Sequence, residues 1–418
     1  MTDTIPTPLP DDPDYFQILI DSRITTASTV HLSFTANRMA LDAPDILDIT
    51  WLTGGGANHD DWSQPVLHVV NASTGHRPAD GGAEIRFDAT YDVTLDQLPK
   101  HTVKDKDYRI LKIPFLDPGN SAQSLAGSGH LTITLDAPAV MQINSGGPNG
   151  YSFALPSAAP HGAGSTNRWD FVELNCATPA ADGKSVCFCN TTNVDFFCLG
   201  IAITGRTSAG DYATFGLDLG GKTPVADLID DLRNLSPDYA AGYTEQAGAF
   251  LRFLAPDMAF TPNAKDLATA IDEGFKHYET QALTFAVGET GYSAKTKNDA
   301  LVFSSPSAFS IDKPTSLEVI ASTGPLDVAG QPTQIQNAQK FIAAALNRGV
   351  FTQTGDWGRP SRWYPDHVQS NQYARTLHKH FIDGVCYGFS FDDVPGPPVT
   401  SAPAIGTCTS MTLVISDQ

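Results

Sequence analysis

The first half of the chain alternates between apolar and polar positions. In VHLSFTA, Val30, Leu32 and Phe34 fall on one side and polar residues on the other. HLTITLD repeats the pattern with Leu131, Ile133 and Leu135, and AEIRFDATYDV and DYRILKIPF are further runs of the same kind between clusters of Gly, Pro, Asn and Asp. A period of two belongs to a strand with one face on a core, and turn residues between such runs make antiparallel neighbours. Residues 1–221 therefore predict an antiparallel β-sandwich or barrel.

From residue 222 the period changes. TPVADLIDDLRNL spaces Val225, Leu228, Ile229 and Leu232 on one helical face, with Pro224 near its start. NAKDLATAIDEGFKHYETQ places Leu267, Ile271, Phe275 and Tyr278 on another stripe, and NAQKFIAAALNRG predicts a third helix with Gly349 at C′. ALVFSS (300–305) and SLEVIAS (316–322) read as short strands between them, so 222–345 is expected to be mixed α/β. Beyond it come an aromatic loop (DWGRPSRWYPDH), a short helix (SNQYARTLHKHF) and a β-like tail ending in SMTLVIS. That tail suggests that 346–418 returns to the first domain.

Composition narrows the function classes. At 418 residues the chain is long for one core. Its net charge of −20 leaves no basic footprint for nucleic acid, and anionic membranes would repel it. A neutral or cationic substrate suits it better than a polyanion. No apolar run reaches the roughly 18 residues that span a bilayer. The opening MTDTIPTPLPDDPDYF shows neither the basic nor the apolar region of a signal peptide. Four of the six cysteines crowd one stretch (Cys176, Cys187, Cys189, Cys198), and Cys386 and Cys408 lie near the end. Cys187-Phe-Cys189 lacks the spacing of a zinc knuckle or redox site, so disulfides or inert thiols are expected and no metal or cofactor is.

The common nucleophile, phosphate and dinucleotide signatures are absent: no G-x-S-x-G, no Walker loop, no H-E-x-x-H and no G-x-G-x-x-G after a strand. His378 and His380 are two apart on a predicted helix and make a poor metal pair. Gly54–Trp62 reads as a polar surface loop. What remains is carboxylates. In RWDFVELN, alternation puts Trp169, Phe171, Glu173 and Asn175 on one face; in TTNVDFF it groups Asn193, Asp195 and Phe197. If the two strands are neighbours, Glu173 and Asp195 project from one side of a sheet. Glycoside hydrolysis needs two acids in unlike environments, one protonated for the leaving oxygen and one ionised for water or carbon.

WDFVELN, NTTNVDFFCLGIAI and NQYARTLHKHFIDGVCYGFSFDDV together resemble glycoside hydrolase family 64, the laminaripentaose-producing β-1,3-glucanases, and more distantly the thaumatin-like proteins. Weaker similarity runs through RFLAP (252–256) and AALNRG (344–349). The resemblance implies a thaumatin-like β domain and a mixed α/β domain with a wide groove between them, partly lined by 346–418. It implies Glu173 as general acid and Asp195 as general base of an inverting endo-β-1,3-glucanase, with the carboxyls roughly 6.5–9.5 Å apart to admit a water. Asn175 and Thr192 fall near the family's sugar contacts. Trp357, Trp363 and Tyr364 could form a stacking wall or simply pack. Asn371 and Tyr373 could face the groove or anchor their helix, and Asp392 and Asp393 could contact the groove or serve structure. The partner implied is a β-1,3-glucan met outside the cell by a monomer. The loop from Cys176 to Cys189 reads as longer than the family's and leaves product length open. Two other readings stay open: a glucan-binding protein without turnover, and a structural protein whose two acids sit in ion pairs.

Overall fold

The computed structural model describes residues 15–36, 408–418, and 91–394 apart from 104, 115–126, 138, 140–141, 146–150, 160–164, 178–185, 208–211, 261–263 and 354–356. The loop at Gly54–Trp62 lies outside the described residues. Among the described residues the alternating runs form strands, AEIRFDATYDV only from Tyr91 onward, and eleven strands belong to one sheet. In chain order its strands begin with β1 (Tyr15–Arg23), β2 (Val30–Ala36), β3 (Tyr91–Thr94), β4 (Lys100–Val103), β5 (Lys106–Pro114) and β6 (Gly127–Leu135). β7 (Gln142–Ser145) and β8 (Tyr151–Ala154) form a separate hairpin. The sheet resumes in β9 (Trp169–Ala177) and β10 (Val186–Thr191) and, after the two-residue β11 (Phe196–Phe197), in β12 (Gly200–Thr207) and β13 (Tyr212–Gly216).

Next come β14 (Tyr243–Gln246) and β15 (Ala249–Leu254), which with β11 make a three-stranded sheet. β16 (Leu283–Val287), β17 (Thr290–Lys297), β18 (Ala300–Ser305) and β19 (Phe309–Asp312) make a four-stranded meander. The last strand, β20 (Cys408–Ser416), goes back into the large sheet, parallel to β1 and antiparallel to β12, and touches β10 only at Cys187–Cys408. Among the described residues the sheet follows an open path, β3-β2-β6-β9-β10-β20-β1-β5-β4, with β12 and β13 beside β20, and does not close into a barrel.

The alternation works as its period demands. Leu131, Ile133, Val172, Leu413 and Ile415 are all buried in one core, each contributing roughly 1.5–3 kcal/mol. A second core gathers the helical stripes: Val225, Leu228 and Leu232 of α1 (Pro224–Arg233), with Tyr239 of the single turn α2 (Pro237–Ala240). After α3 (Pro256–Ala259), α4 (Ala268–Thr280) adds Ile271, Phe275 and Tyr278.

SLEVIAS is a helix and not the strand its composition suggests. α5 (Ser316–Ala321) is started by a capping box in which the Thr315 side chain accepts from the Glu318 N–H and Glu318 reaches back to the Thr315 N–H. Two satisfied N–H groups outweigh the β preference of Val319 and Ile320. α6 (Thr333–Asn347) ends as predicted, with Gly349 past its cap at φ +68°. α7 (Gln372–His380) is capped by Asn371.

One buried charge cluster bolts the closing segment to these helices. Asp392 is paired with Arg348 at the end of α6 (3.0 Å) and with His378 Nε2 on α7 (2.8 Å), and it accepts from the Gly388 N–H (2.9 Å). Arg348 also donates to the backbone carbonyls of Asp392 and Val394. Burial pushes the Asp392 carboxyl up, but His378 and Arg348 outweigh it and hold the group below the usual range. Removing one partner of such a cluster strands a buried charge. Asp392→Asn is expected to cost about 3–5 kcal/mol by denaturant unfolding. A depressed folded pKa gives stability that is present above the unfolded value, near 3.8, and is lost as pH falls through the folded one. The wild-type midpoint should therefore drop on acidification below pH 4, and the Asn variant should lose less over that range.

Candidate active site

β9 lies between β6 and β10, and the register sets Glu173 opposite His130 on one side and Asn190 on the other. Directly opposed residues share a face. On that face, Trp169 and Phe171 are buried against Phe196, with ring centroids 4.6 and 6.3 Å from it. Glu173 is where the face stops being a core and becomes half-buried. Burial raises its carboxyl first of all; the charge of Asp195 raises it too, while a hydrogen bond from Asn190 opposes both. Burial also lowers His130, which favours the neutral ring and offers no cation to keep Glu173 ionised.

Asp195 is not on a strand beside Glu173. β10 stops at Thr191, so the residue facing Glu173 is Asn190, and Asp195 sits in a bend between β10 and β11. The run TTNVD does not continue the ladder because its backbone is bonded elsewhere. The Asn193 N–H donates to the Tyr387 carbonyl (2.9 Å), the Tyr373 hydroxyl donates to the Asn193 carbonyl (2.9 Å), and the Ala255 N–H donates to the Asp195 carbonyl (2.8 Å). The bend carries Asp195 into the open: the residue is exposed although enough protein surrounds its carboxyl to raise it. Among the described residues no Lys or Arg acts on either carboxyl.

The charge of Asp195 raises Glu173 and Asp257, whereas Asp195 is raised by burial alone. Glu173 and Asp257 thus both lie within the field of Asp195.

Other expected contacts are corrected by burial. Asn371 and Tyr373 are wholly buried, and Asp392 is 1% exposed in the ion cluster. Asn371 caps α7 and donates to Asn347 Oδ1 (3.0 Å), while Tyr373 anchors the bend. Trp357 stacks on Phe285 and Trp363 lies under the Arg348 guanidinium, 3.8 Å from it, so their faces are taken. Tyr364 packs against His378 with its hydroxyl buried. Trp357, Trp363, Asn371 and Tyr373 are therefore buried and already engaged, whereas Tyr364 is half-buried. Thr192 is buried at the start of the bend. Asn175 is two residues beyond Glu173 on β9, and its side chain lies outside the described residues. Asp393 hydrogen-bonds the half-buried Tyr387, whose phenol burial raises, with help from Asp393, Asp392 and Glu173. Asp393 thereby touches the neighbourhood of Glu173 through Tyr387.

Sequence reading missed His130, Asn190, Tyr387 and Asp257. Strand register alone brings in the first two, and Tyr387 lay unremarked inside YGFSFDDV. Ligand atoms of His378, Cys386 and Asp392 lie within 4.8 Å of one another. A cation there would have to compete with Arg348, and both His378 nitrogens already face acceptors, Asp392 and the Gly384 carbonyl (2.7 Å). The set fits an ion pair better than a metal.

By family the chain is a glycoside hydrolase. The family model for β-1,3-glucanases matches residues 67–415, and the chain belongs to that family, glycoside hydrolase family 64. Solved structures share the fold. A β-1,3-glucanase domain from Clostridium beijerinckii is 18% identical, with a TM-score of 0.65 over 98% of this chain and 100% of that one. A laminaripentaose-producing β-1,3-glucanase in complex with laminaritetraose is 18% identical, with a TM-score of 0.69 over 97% and 99%. The enzyme from Paenibacillus barengoltzii, complexed with laminarihexaose, gives 18% and 0.54 over 100% and 79%. No curated protein matches the chain. Among the described residues no helix is long and apolar enough to cross a membrane.

The bond from Asn190 favours ionised Glu173, so its loss must favour the protonated form. Asn190→Ala should move the Glu173 titration to higher pH, read by carbon NMR of the labelled carboxyl.

Proposed function

We propose that the chain is an endo-acting, inverting β-1,3-glucanase in which Glu173 is the general acid and Asp195 the general base. The observation that carries the reading is the unlike setting of two carboxyls in one another's field: Glu173 is half-buried on β9 and raised by burial and by the charge of Asp195, while Asp195 is exposed on a bend. Protonated Glu173 gives its proton to the glycosidic oxygen as the bond to the anomeric carbon breaks. A water attacks that carbon from the opposite side and loses a proton to Asp195. The product therefore carries the inverted anomer.

The absence of an ion-pair partner for either acid, among the described residues, speaks against a purely structural role. A wet base on a bend, tied through its backbone and left free at its side chain, suits turnover better than binding alone. The relative that binds laminaritetraose and produces laminaripentaose supports short oligosaccharide products. A glucan polymer would be met outside the cell, and we read the enzyme as acting there as a monomer.

Glu173→Gln and Asp195→Asn should each lower kcat on linear β-1,3-glucan by about 10²–10⁴-fold with unfolding unchanged, measured by reducing-end release. Proton NMR of the wild-type reaction should show the α-anomer first. Full activity in either variant, or initial β-anomer, would remove the acid–base assignment.

A further inference from the structure

The two carboxyls of the site belong to different sheets. Glu173 is on β9 of the eleven-stranded sheet, whereas Asp195 leads into β11, which pairs with β15 in the three-stranded one. Inversion needs one working separation between acid and base, because a water has to fit between base and sugar. The three bonds to the bend come from α7, the closing segment and the start of α3, and none of these is part of β9. A separate joint has to set the bend against the strand that carries the acid. Asp170 makes it. This wholly buried residue lies three positions before Glu173 on β9. Its Oδ1 accepts from the Phe171 N–H (2.8 Å), and its Oδ2 accepts from the N–H groups of Cys198 and Leu199 (3.0 Å each), which join β11 to β12. Cys198 is three positions beyond Asp195. One carboxyl thus bridges the sheets at equal sequence distance from acid and base. Its neighbours close the same joint: Trp169 meets Phe196 edge-on at 4.6 Å, and the Arg252 guanidinium lies 5.7 and 5.5 Å from those two rings. Packing alone would be served by an apolar side chain, since a buried carboxyl is costly unless bonded. What the carboxyl adds is direction.

We propose that Asp170 is a positioning residue for hydrolysis: by holding the Cys198 and Leu199 N–H groups from β9, it sets the separation of the Glu173 and Asp195 carboxyls. This rests on the reading of that pair as acid and base. Asp170 touches neither substrate nor water. It acts through the backbone, and without it the two sheets keep their own ladders but lose the bond that fixes one against the other.

The test compares Asp170→Ala, which removes both acceptors, with Asp170→Asn, which can still turn its carbonyl oxygen to Cys198 and Leu199. Asp170→Val, which fills the space on a strand, stands in should Ala not fold, and thermal unfolding checks each variant. The first readout is the coupling of the two carboxyls. In the wild-type background Asp195→Asn removes a like charge and should lower the Glu173 titration, read by carbon NMR of the labelled carboxyl. In the Asp170→Ala background the same change should lower it by less than about half as much. The second readout is turnover of linear β-1,3-glucan. Asp170→Ala should lose kcat by about 10–100-fold with KM within about twofold, because a misplaced pair is felt in the transition state. Asp170→Asn should stay within about threefold of wild type and keep the coupling. Wild-type coupling or wild-type kcat in the Ala variant overturns the proposal, and so does an Asn variant as poor as Ala. If Glu173→Gln and Asp195→Asn stay active, the acid–base reading falls and this role with it. If they fail and Asp170→Ala does not, only the role of Asp170 falls.

Discussion

Three hydrogen bonds to the backbone of a four-residue bend, one from a tyrosine hydroxyl, decide where the Asp195 carboxyl stands. Residues 192–195 leave β10 and do not continue its ladder with β9. Their polar groups are bonded instead by Tyr387, Tyr373 and Ala255, which come from the closing segment, α7 and the start of α3. If the ladder ran on past Thr191, the period of two would fix Asp195 on a strand face, and no part of the second core would touch it. Broken where it is, the chain presents the carboxyl at the meeting of the two cores while its own carbonyl is tied down. Each tether is anchored in turn. Tyr373 is wholly buried and lies 6.1 Å from the Phe253 ring, and β15 pairs Phe253 and Leu254 with the two phenylalanines of β11.

The unlike environments of the two acids follow from that geometry. Glu173 inherits its surroundings from a strand in mid-sheet: a neutral His130, an Asn190 and the end of an aromatic face. Asp195 inherits the openness of a bend. Among the described residues neither setting contains a cation, so the charge of Asp195 adds to burial in raising Glu173. The acidic chain, at −20 overall, suits a neutral polymer.

What the sequence could say depended on whether a residue's role is local. Alternation found β2, β5 and β6, and the helical stripes found α1, α4 and α6, because burial of one face is written at fixed spacing. SLEVIAS was misread because composition was weighed above the Thr315–Glu318 capping signal just ahead of it. Glu173 and Asp195 came from motif likeness, and the physical route first drawn between them, two adjacent strands, was wrong: the neighbour across the ladder is Asn190. The aromatic residues 357–364 looked like a sugar platform because Trp and Tyr serve stacking and packing equally well. Only tertiary structure shows that Phe285 and Arg348 already occupy those faces.

The ion cluster under the closing segment raises a last question of economy. An apolar plug would hold Phe389 and Phe391 against α6 and α7, often at no loss of stability compared with a buried ion pair. What it would not hold is direction. Arg348 donates to the Asp392 side chain and to the carbonyls of Asp392 and Val394, while Asp392 accepts from the Gly388 N–H. These bonds fix the segment on both sides of the aromatic run and leave it one register. That register puts the Tyr387 carbonyl on the Asn193 N–H of the bend and brings the Tyr387 ring within the field of Glu173. A slip of one residue would exchange that carbonyl for its neighbour and turn the ring away. The charges are therefore kept for aim, and the object of the aim is the bend that carries Asp195.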